Sequence, residues 1–512
     1  MTLDSKFSRR DFLKLLALTP AALAARPLLS LLDKRADPAM PNVLVFVFDA
    51  WSASNVQLHG YPRITMPALA RFAERSFVYH NHYSAGCFTV PGTGSLLTGL
   101  HPWTHRAFQL TAGGVTDAHQ DHNIFAAFSK THSTFGYAQN PYADVYLHQF
   151  GNSIDTYVPK EQFNLERNLF SSLPIFDNDA RMAFLSIEDN ILRNGKGASG
   201  SVYFADLWRL FGIGKDTYFR KRYLRKYYYG LPEAGSGAFL VDKVINGAIA
   251  EIQKFESPTL AYFHFFPPHD PYTPKREYAS YFDDGWNPPD KPIHPVSHSR
   301  RSLDEIHTNR LRYDQHLASW DSEVSRLFDY LETSGILDNS IVVITSDHGE
   351  LFERGEVGHM TSLISKPILW IPLLISLPGQ TQRRDIHAVT SSVDVLPTLT
   401  SLAGLEPPAW SEGQLLPGLG GEEDADRSIY SMDAKSASSF SAIDGISISL
   451  TKQRHRLIYY KHTNHTGFEF YNLDEDGEEM NDLFPSKPAL AMKMKNELLQ
   501  KIEDFNRPYR KG

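Results

Sequence analysis

The sequence predicts an α/β fold with a mostly parallel central sheet, and two observations support this. A continuous apolar run over Val43–Phe48 is what a strand buried on both faces of a parallel sheet requires. Further apolar runs then alternate with segments of helical spacing along the chain. With 512 residues, 42% of them hydrophobic and 21% charged, the chain is long enough for one large domain or two.

The elements follow in a regular order after the first strand. "TMPALARFAERS" carries apolar residues at helical spacing, and "SAGCFTVPGTGSLLTGL" ends in the helix-like "SLLTGL". Next come the predicted strand "LAYFHFF", the long amphipathic helix "RYDQHLASWDSEVSRLFDYLETSG", and the strands "SIVVITS" and "ILWIPLLIS". The polar strands "SIYSMD", "ISISLTKQ", "HRLIYYKH" and "GFEFYNL" and the helix "ALAMKMKNELLQKI" predict a smaller C-terminal α+β subdomain.

The alternation of predicted strands and helices becomes irregular around residues 160–240. We interpret this segment as an insertion on the rim of the active site. Its run "YFRKRYLRKYYYG" could bind nucleic acid or an anionic lipid, but a solvated helix with tyrosines packed beneath it is favoured. The net charge of −8 gives no support to a nucleic-acid partner. The predicted division is a leader at 1–40, a catalytic domain at 41–414 and a C-terminal subdomain at 415–512.

The leader resembles a twin-arginine export signal. In "SRRDFLKLLALTPAALAA", Arg9 and Arg10 precede a short apolar run, which is the order of a signal peptide rather than of an amphipathic helix. This predicts an exported, periplasmic or extracellular protein whose partners include the twin-arginine export machinery. A second apolar piece, "PLLSLLDKR", leaves the cleavage point open, so an uncleaved membrane anchor is the alternative.

Three candidate metal ligands stand where predicted strands end. Asp49 follows the first strand, and Asp347 and His348 follow "IVVIT". Ligands of open parallel sheets gather at the carboxyl ends of the strands, and Gly349 permits the turn that would let both residues face one ligand. Two carboxylates and an imidazole suit one divalent ion, Mn or Zn before Mg or Ca. The alternative, that each aspartate is only a helix cap or loop residue, is favoured for any one of them alone but not for all three at strand ends.

Eight segments follow one another along the chain in the order of known family motifs: "NVLVFVFDA", "TVPGTGSLLTG", "HDPYTP", "TSDHGE", "GHM", "WIPLLISLPG", "SVDVLPTLTSLAG" and "FYNLDEDGEEMNDL". Together they resemble the landmarks of the sulfatase family of the alkaline-phosphatase superfamily, over roughly residues 41–485. The resemblance implies an alkaline-phosphatase-like α/β sandwich, ester hydrolysis, and a small-molecule, lipid or glycan ester as substrate.

The nucleophile loop of that family reads C/S-x-P-x-R-x-x-L-L-T-G. Counting back from "LLTG" places the nucleophile at Thr89, which the resemblance also makes a metal ligand, and puts Thr93 at the arginine position. Cys87 lies two places too early to become formylglycine and is interpreted as a small buried hydrophobe. The loop therefore predicts attack by an unmodified threonine.

Other departures point the same way. Ala50 replaces a second aspartate, His348 replaces an asparagine, and "AQNPYADVY" lacks the lysine and histidine of the family element. The site thus resembles that of lipoteichoic acid synthases and phosphoethanolamine transferases. Since a sulfated threonine has no exit comparable to the collapse of a formylglycine hydrate, Thr89 favours phosphoesters.

The resemblance assigns three more residues. His269 in "PPHDPY" and His359 in "VGHM" would contact the transferred anion or protonate the leaving group, and Lys366 in "ISKP" would bind a substrate oxygen. Two alternatives to a hydrolase stay open: a transferase that moves a phospho-alcohol head group, and a non-catalytic scaffold that binds anionic glycans.

Overall fold

The computed structural model describes residues 40–110, 114–165, 218–219, 221–235, 237–256 and 258–510. The predicted leader, apart from its last residue, and most of the predicted insertion lie outside these residues. Both therefore stay predictions, as does the domain boundary near residue 414. Among the described helices, none is long and apolar enough to cross a membrane.

A central sheet organises the described part of the chain. Its eight strands lie in the order β12-β2-β11-β8-β1-β7-β3-β4, and all neighbours pair in parallel except β11, which runs antiparallel to β2 and β8. The strands are β1 (Asn42–Phe48), β2 (Phe77–Tyr83), β3 (Ser133–Ala138), β4 (Thr156–Val158), β7 (Thr259–Phe265), β8 (Ser340–Thr345), β11 (Leu373–Ser376) and β12 (Arg384–Ser391). Two short hairpins lie outside this sheet, β5 (Glu233–Ala234) with β6 (Gly237–Ala238) and β9 (Phe352–Glu353) with β10 (Glu356–Val357). This confirms the predicted α/β class.

Helices cover both faces of the sheet, which explains the continuous apolar sequence of β1. Val43, Val45 and Val47 pack into the core on one face. Leu44, Phe46 and Phe48 pack into the core on the other face. The described helices are α1 (Pro67–Ala73), α2 (Thr89–Thr98), α3 (Pro102–His105), α4 (Ile124–Phe128), α5 (Pro141–Gln149), α6 (Val241–Ile252), α7 (Leu303–Thr333), α8 (Lys366–Leu369), α9 (Val395–Leu402) and α10 (Ala489–Asn506).

A second, antiparallel sheet follows in the C-terminal part. It has the order β13-β14-β15-β16, with bounds Ser428–Asp433, Ile446–Lys452, His455–Lys461 and Thr466–Asn472. Its apolar face and helix α10 share a core of their own. The predicted C-terminal strands and closing helix are all present, which confirms the smaller sheet subdomain.

Two predicted elements differ from the structure. "ILWIPLLIS" is not one strand: its first residues belong to α8 and to an isolated bridge between Trp370 and Tyr83, and β11 begins at Leu373 because Pro372 has no N–H to donate to a strand neighbour. Helix α7 begins at Leu303, earlier than the predicted segment, because Ser302 and Glu305 form a capping box there.

Candidate active site

The carboxyl ends of β1 and β8, which are neighbours in the sheet, bring three predicted ligands together. Asp49, Asp347 and His348 are all fully buried, and each offers a ligand atom within 4.8 Å of the other two. Asp49 directly follows β1, while Asp347 and His348 come after β8 has ended at Thr345. The chain is therefore already turning, and both side chains can face the same side.

Close backbone approach shapes this turn. A Cβ added at Gly349 would lie 2.1 Å from the carbonyl oxygen of Pro367, so only glycine fits there. Ala50 has a φ of 58°, and its N–H lies 3.4 Å from Oδ1 of Asp347. The position where the family carries a second aspartate thus serves here to turn the backbone toward Asp347.

Thr89 is the first residue of α2 and faces the same cluster. Its Oγ1 lies 3.4 Å from Nε2 of His348 and accepts a hydrogen bond of 3.2 Å from Nδ2 of Asn140. The free N–H groups at the start of a helix favour an anion nearby. Thr93, one turn later, donates to Oδ2 of Asp347 over 3.3 Å. Thr93 therefore holds the metal-ligand candidate where a sulfatase would present arginine.

Two residues of the cluster, Asn140 and His264, were not predicted from the sequence. Asn140 also donates to Oδ2 of Asp49 over 2.5 Å, so one amide joins Thr89 to Asp49. His264, near the end of β7, places Nε2 3.2 Å from Oδ2 of Asp49 and 3.8 Å from Oδ2 of Asp347. Its signal was a polar residue inside the apolar strand "LAYFHFF", and that of Asn140 was its place before a helix-starting proline.

The negative charges of the buried aspartates are balanced by nearby histidines. Burial by itself would raise the pKa of Asp49, but the charge of His269 and contacts from His264 and His348 hold that pKa well below its usual range. Burial would lower the pKa of His348, yet Asp347 and Asp49 raise it to about 9. A cation bound by these residues would displace the proton of His348, because a histidine coordinates a metal through a deprotonated ring nitrogen.

These residues fit the divalent ion predicted from the sequence. Oδ1 of Asp49 is buried and accepts no hydrogen bond, although it lies only 3.4 Å from Nε2 of His348. Nδ1 of His348 meets the carbonyl oxygen of Gly349 at 2.9 Å, which leaves Nε2 to coordinate. Asp49, Asp347, His348 and the Thr89 hydroxyl together form an oxygen-rich set with one imidazole, suited to Mn, Zn or Mg.

His269 and His359 lie beside the cluster, where the resemblance placed them. The ring of His359 is 4.4 Å from that of His348 and 4.7 Å from that of His269, measured between centroids. Burial lowers the pKa of His269, but Asp49 and Asp270 outweigh it and raise the pKa to about 10. Two imidazoles thus stand beside the buried carboxylates of the cluster.

Lys366 is not brought into the cluster. Its ammonium group donates to the carbonyl oxygen of Gly477 over 2.9 Å and lies 4.3 Å from the centre of the Trp370 ring. Lys366 is the first residue of the short helix α8, and its side chain extends to the C-terminal segment at Gly477. The predicted contact of Lys366 with a substrate oxygen stays a prediction, while its ammonium group contacts the C-terminal segment.

Cys87 is fully buried among apolar side chains. Burial and the nearby Asp433 raise the pKa of its thiol well above the usual range. A thiol in that state is a poor nucleophile, in keeping with its interpretation as a packing residue.

Comparisons with known proteins identify the family of this chain. The Sulfatase family model matches residues 41–405, and the model described as "N-sulphoglucosamine sulphohydrolase, C-terminal" matches residues 356–506. An ulvan-active sulfatase of Formosa agariphila is 24% identical over 78% of this chain and 70% of its own length. An N-acetylglucosamine-6-O-sulfatase of Bacteroides thetaiotaomicron is 30% identical, over 37% of this chain and 34% of that protein.

Solved structures share the fold. A phosphonate monoester hydrolase of Agrobacterium radiobacter superposes with a TM-score of 0.63 at 18% identity, covering 91% of this chain and 96% of that one. A 2-O GAG sulfatase superposes with a TM-score of 0.61 at 15% identity, over 91% and 92% of the two chains. The chain therefore belongs to the sulfatase family of the alkaline phosphatase superfamily and is an ester hydrolase of that superfamily.

Proposed function

We propose that this protein is an exported, metal-dependent hydrolase that cleaves phosphate, phosphodiester or sulfate esters with Thr89 as nucleophile, and that it prefers phosphoesters. One observation carries the proposal. Oγ1 of Thr89 lies between Nδ2 of Asn140 at 3.2 Å and Nε2 of His348 at 3.4 Å, next to two buried carboxylates. A hydroxyl held in this way is positioned to attack.

The metal ligands and Asn140 have different roles in this reaction. A divalent ion bound by Asp49, Asp347, His348 and Thr89 would supply Lewis acidity, which favours ionisation of the hydroxyl and polarises the ester. The amide of Asn140 donates to Oγ1 and so stabilises negative charge on it.

The reaction proceeds by two displacements. Oγ1 of Thr89, after losing its proton to solvent, forms a bond to phosphorus while the bond to the leaving alcohol breaks. The departing oxygen takes a proton from His269 or His359. Water then attacks the phosphothreonine at phosphorus, which restores the hydroxyl and releases phosphate or a phosphomonoester.

Two arguments bear on which ester is the substrate. A threonine ester of phosphate can be hydrolysed by attack at phosphorus, whereas a threonine ester of sulfate lacks the exit that formylglycine provides. The names of the ulvan-active sulfatase and the N-acetylglucosamine-6-O-sulfatase point instead to glycan substrates. A phosphorylated or sulfated glycan, or a small ester, is therefore the substrate class to test.

The test compares aryl phosphate, bis-aryl phosphodiester and aryl sulfate as substrates of Mn- or Zn-loaded protein. We expect phosphoester cleavage that Thr89→Ala abolishes and Thr89→Ser retains in part. Cys87→Ser serves as the matched control in the same loop and should keep activity. Labelling with a ³²P-phosphoester followed by peptide mapping should place phosphate on Thr89. Equal cleavage by Thr89→Ala would refute the assignment.

The same assay separates the alternatives. Adding an alcohol or sugar acceptor and measuring its phosphorylation reveals the transferase, since the acceptor would then compete with water. A chain that retains no divalent ion and cleaves none of the three esters would favour the glycan-binding scaffold.

Export is part of the proposal and has its own test. Residues 1–40 fused to a reporter that needs twin-arginine export should deliver it to the periplasm. Replacing Arg9 and Arg10 by lysine should retain the reporter inside the cell. Delivery that does not depend on the arginine pair would argue against this route.

A further inference from the structure

Several exposed cations lie outside the candidate active site, at the described end of the predicted insertion. Lys221, Arg222 and Arg225 are all exposed. Lys226 in the same run pairs with Asp242 at 3.0 Å, whereas no carboxylate among the described residues lies within ion-pair distance of the other three cations. The chain as a whole carries a net charge of −8, so this local excess of positive charge runs against its average.

Aromatic packing beneath these cations keeps them at the surface. Phe219, Tyr223 and Tyr227 follow one another at a spacing of four residues, which is the spacing of one helix face. They pack together with Leu231 and Leu240 in a small core. The charged residues between them therefore face the solvent, as the sequence favoured.

Two arginines from other parts of the chain extend the positive charge. Cζ of Arg276 lies 5.1 Å from the centre of the Tyr228 ring, and Cζ of Arg312 lies 4.7 Å from that of Tyr229. The two tyrosine rings meet edge to face at 4.9 Å. Neither arginine pairs with a carboxylate among the described residues. We call this set the basic surface: Lys221, Arg222, Arg225, Tyr228, Tyr229, Arg276 and Arg312.

The basic surface is attached to a loop of the candidate active site. The N–H of Arg276 donates to the carbonyl oxygen of Lys226 over 2.7 Å, which joins the basic run to the loop that carries His269. Arg276 comes seven positions after His269, and seven residues span about 25 Å at most even when fully extended. A ligand longer than one sugar could therefore contact both places.

The chemistry of the basic surface fits an anionic polymer. A guanidinium group binds a sulfate or phosphate ester through two parallel N–H bonds, and runs rich in Lys and Arg are typical of heparin-binding patches. A small substrate with one ester would occupy only one such group. Leu224 is 56% exposed beside these cations, which makes an anionic lipid surface the competing ligand. The glycan esters named under the proposed function favour the polymer.

We propose that the basic surface binds a polyanionic glycan chain, one that carries several sulfate or phosphate esters, and retains it while one ester is cleaved in the active site. Cleavage of the retained chain rests on the proposed function, whereas binding by the basic surface does not. The substrate class is thereby narrowed from any ester to an ester on a charged polymer.

The test measures binding of a fluorescein-labelled heparin oligosaccharide to the full chain by fluorescence anisotropy. Arg222→Gln/Arg225→Gln should raise the Kd about 5- to 30-fold, the range that two exposed ion pairs supply. Lys130→Gln/Lys493→Gln removes the same charge from exposed positions elsewhere and should bind as wild-type protein does. Rising salt should weaken wild-type binding. Equal Kd values for the two double variants would overturn the proposal.

Two further probes separate a glycan from other ligands. Neutral dextran should not bind, because it lacks the anionic groups that the arginines would contact. Phosphatidylserine vesicles test the lipid surface. Tighter binding to these vesicles than to heparin, with a loss of vesicle binding in Leu224→Ser, would overturn the glycan in favour of a membrane.

Failure of the basic surface and failure of the proposed function are distinguishable. Heparin binding by Thr89→Ala would support the basic surface even if no ester is cleaved. Cleavage of small aryl esters by a protein that does not bind heparin would refute the basic surface alone. If both proposals hold, Arg222→Gln/Arg225→Gln should raise KM for a polymeric substrate and leave kcat/KM for an aryl phosphate unchanged.

Discussion

Asn140 has two separate tasks within one side chain. Its Oδ1 accepts the N–H of Tyr142 over 2.8 Å and caps α5, while its Nδ2 donates to Asp49 and Thr89. Asn123 caps α4 in the same manner, through the N–H of Ala126 at 2.9 Å. The chain therefore contains a natural control that separates capping from chemistry.

Replacing Asn140 by alanine should lower kcat by about 10²–10³-fold, which is typical when a donor to developing negative charge is removed. The lost cap should also cost about 1 kcal/mol of unfolding free energy. Asn123→Ala should show the loss of stability without the loss of kcat. Steady-state kinetics and urea unfolding of both variants check this, and equal kcat values would contradict the role of Asn140.

At this scale the sequence predicts some residues and not others for physical reasons. Asp49, Asp347 and His348 could be assigned because the carboxyl end of a parallel strand is a place fixed by the sheet itself. Asn140 and His264 could not, because their function depends on which side chains meet across the sheet. For Lys366 the motif gives the position of the residue but not the direction of its side chain, which contacts the carbonyl oxygen of Gly477 in the structure.

At the scale of elements, the contact between α2 and the Asp347 loop decides where Thr89 lies. A Cβ added at Gly92 would lie 2.3 Å from the carbonyl oxygen of Asp347 and 3.3 Å from Oγ of Ser84. Ser84 itself donates to that carbonyl oxygen over 2.5 Å. Helix α2 therefore rests directly on the backbone that carries a metal-ligand candidate.

Gly92→Ala should push α2 away from this loop, because a backbone carbonyl cannot yield as a flexible side chain does. We expect about 1–3 kcal/mol less stability, as for other overpacked sites, together with weaker metal binding. Gly151→Ala is the control, since no atom lies within 4 Å of its added Cβ. Thermal unfolding and metal titration measure both effects; unchanged metal affinity in Gly92→Ala would contradict the expectation.

The element boundaries illustrate the same limit of prediction. Strand β8 and the C-terminal strands were predictable because their apolar residues alternate or run without a break. The N-terminal turns of α7 were not, because they are polar and depend on the capping box of Ser302 and Glu305. The split of "ILWIPLLIS" depended on Pro372, whose effect on a strand is local.

At the scale of the whole molecule, Glu479 joins the C-terminal part to the catalytic part. It accepts from Nη1 of Arg456 over 2.8 Å and from the backbone N–H of Lys366 over 2.9 Å. The side chains of Arg456 and Glu479 are 0% and 1% exposed. This buried ion pair fixes the segment around Glu479 against strand β15.

Glu479→Ala should cost about 3–5 kcal/mol of unfolding free energy, because it leaves the charge of Arg456 buried without a partner. Glu478→Ala is the matched neighbour: its side chain is 61% exposed and pairs with Lys291 at 3.2 Å, so its loss should change little. Urea unfolding of the two variants gives the comparison. Equal stabilities would contradict a stabilising role for the buried pair of Arg456 and Glu479.

Removing divalent metal should also destabilise the whole fold. Asp49 and Asp347 are buried at the carboxyl ends of two central strands. An ion that binds only the folded chain adds about 2.7 kcal/mol to the free energy of unfolding when its concentration is a hundred times its Kd. We expect chelation to lower the Tm of wild-type protein and to have a smaller effect on Asp347→Asn. Identical melting curves of wild-type protein with and without chelator would contradict a metal at this site.

The burial of Cys87 has a practical consequence. It is the single cysteine of the chain and is fully enclosed, so thiol reagents should leave the folded protein unlabelled. The rate at which Cys87 becomes labelled then measures how often the segment before Thr89 opens to solvent. A cysteine introduced at the surface would, for the same reason, take up a fluorophore at that position alone.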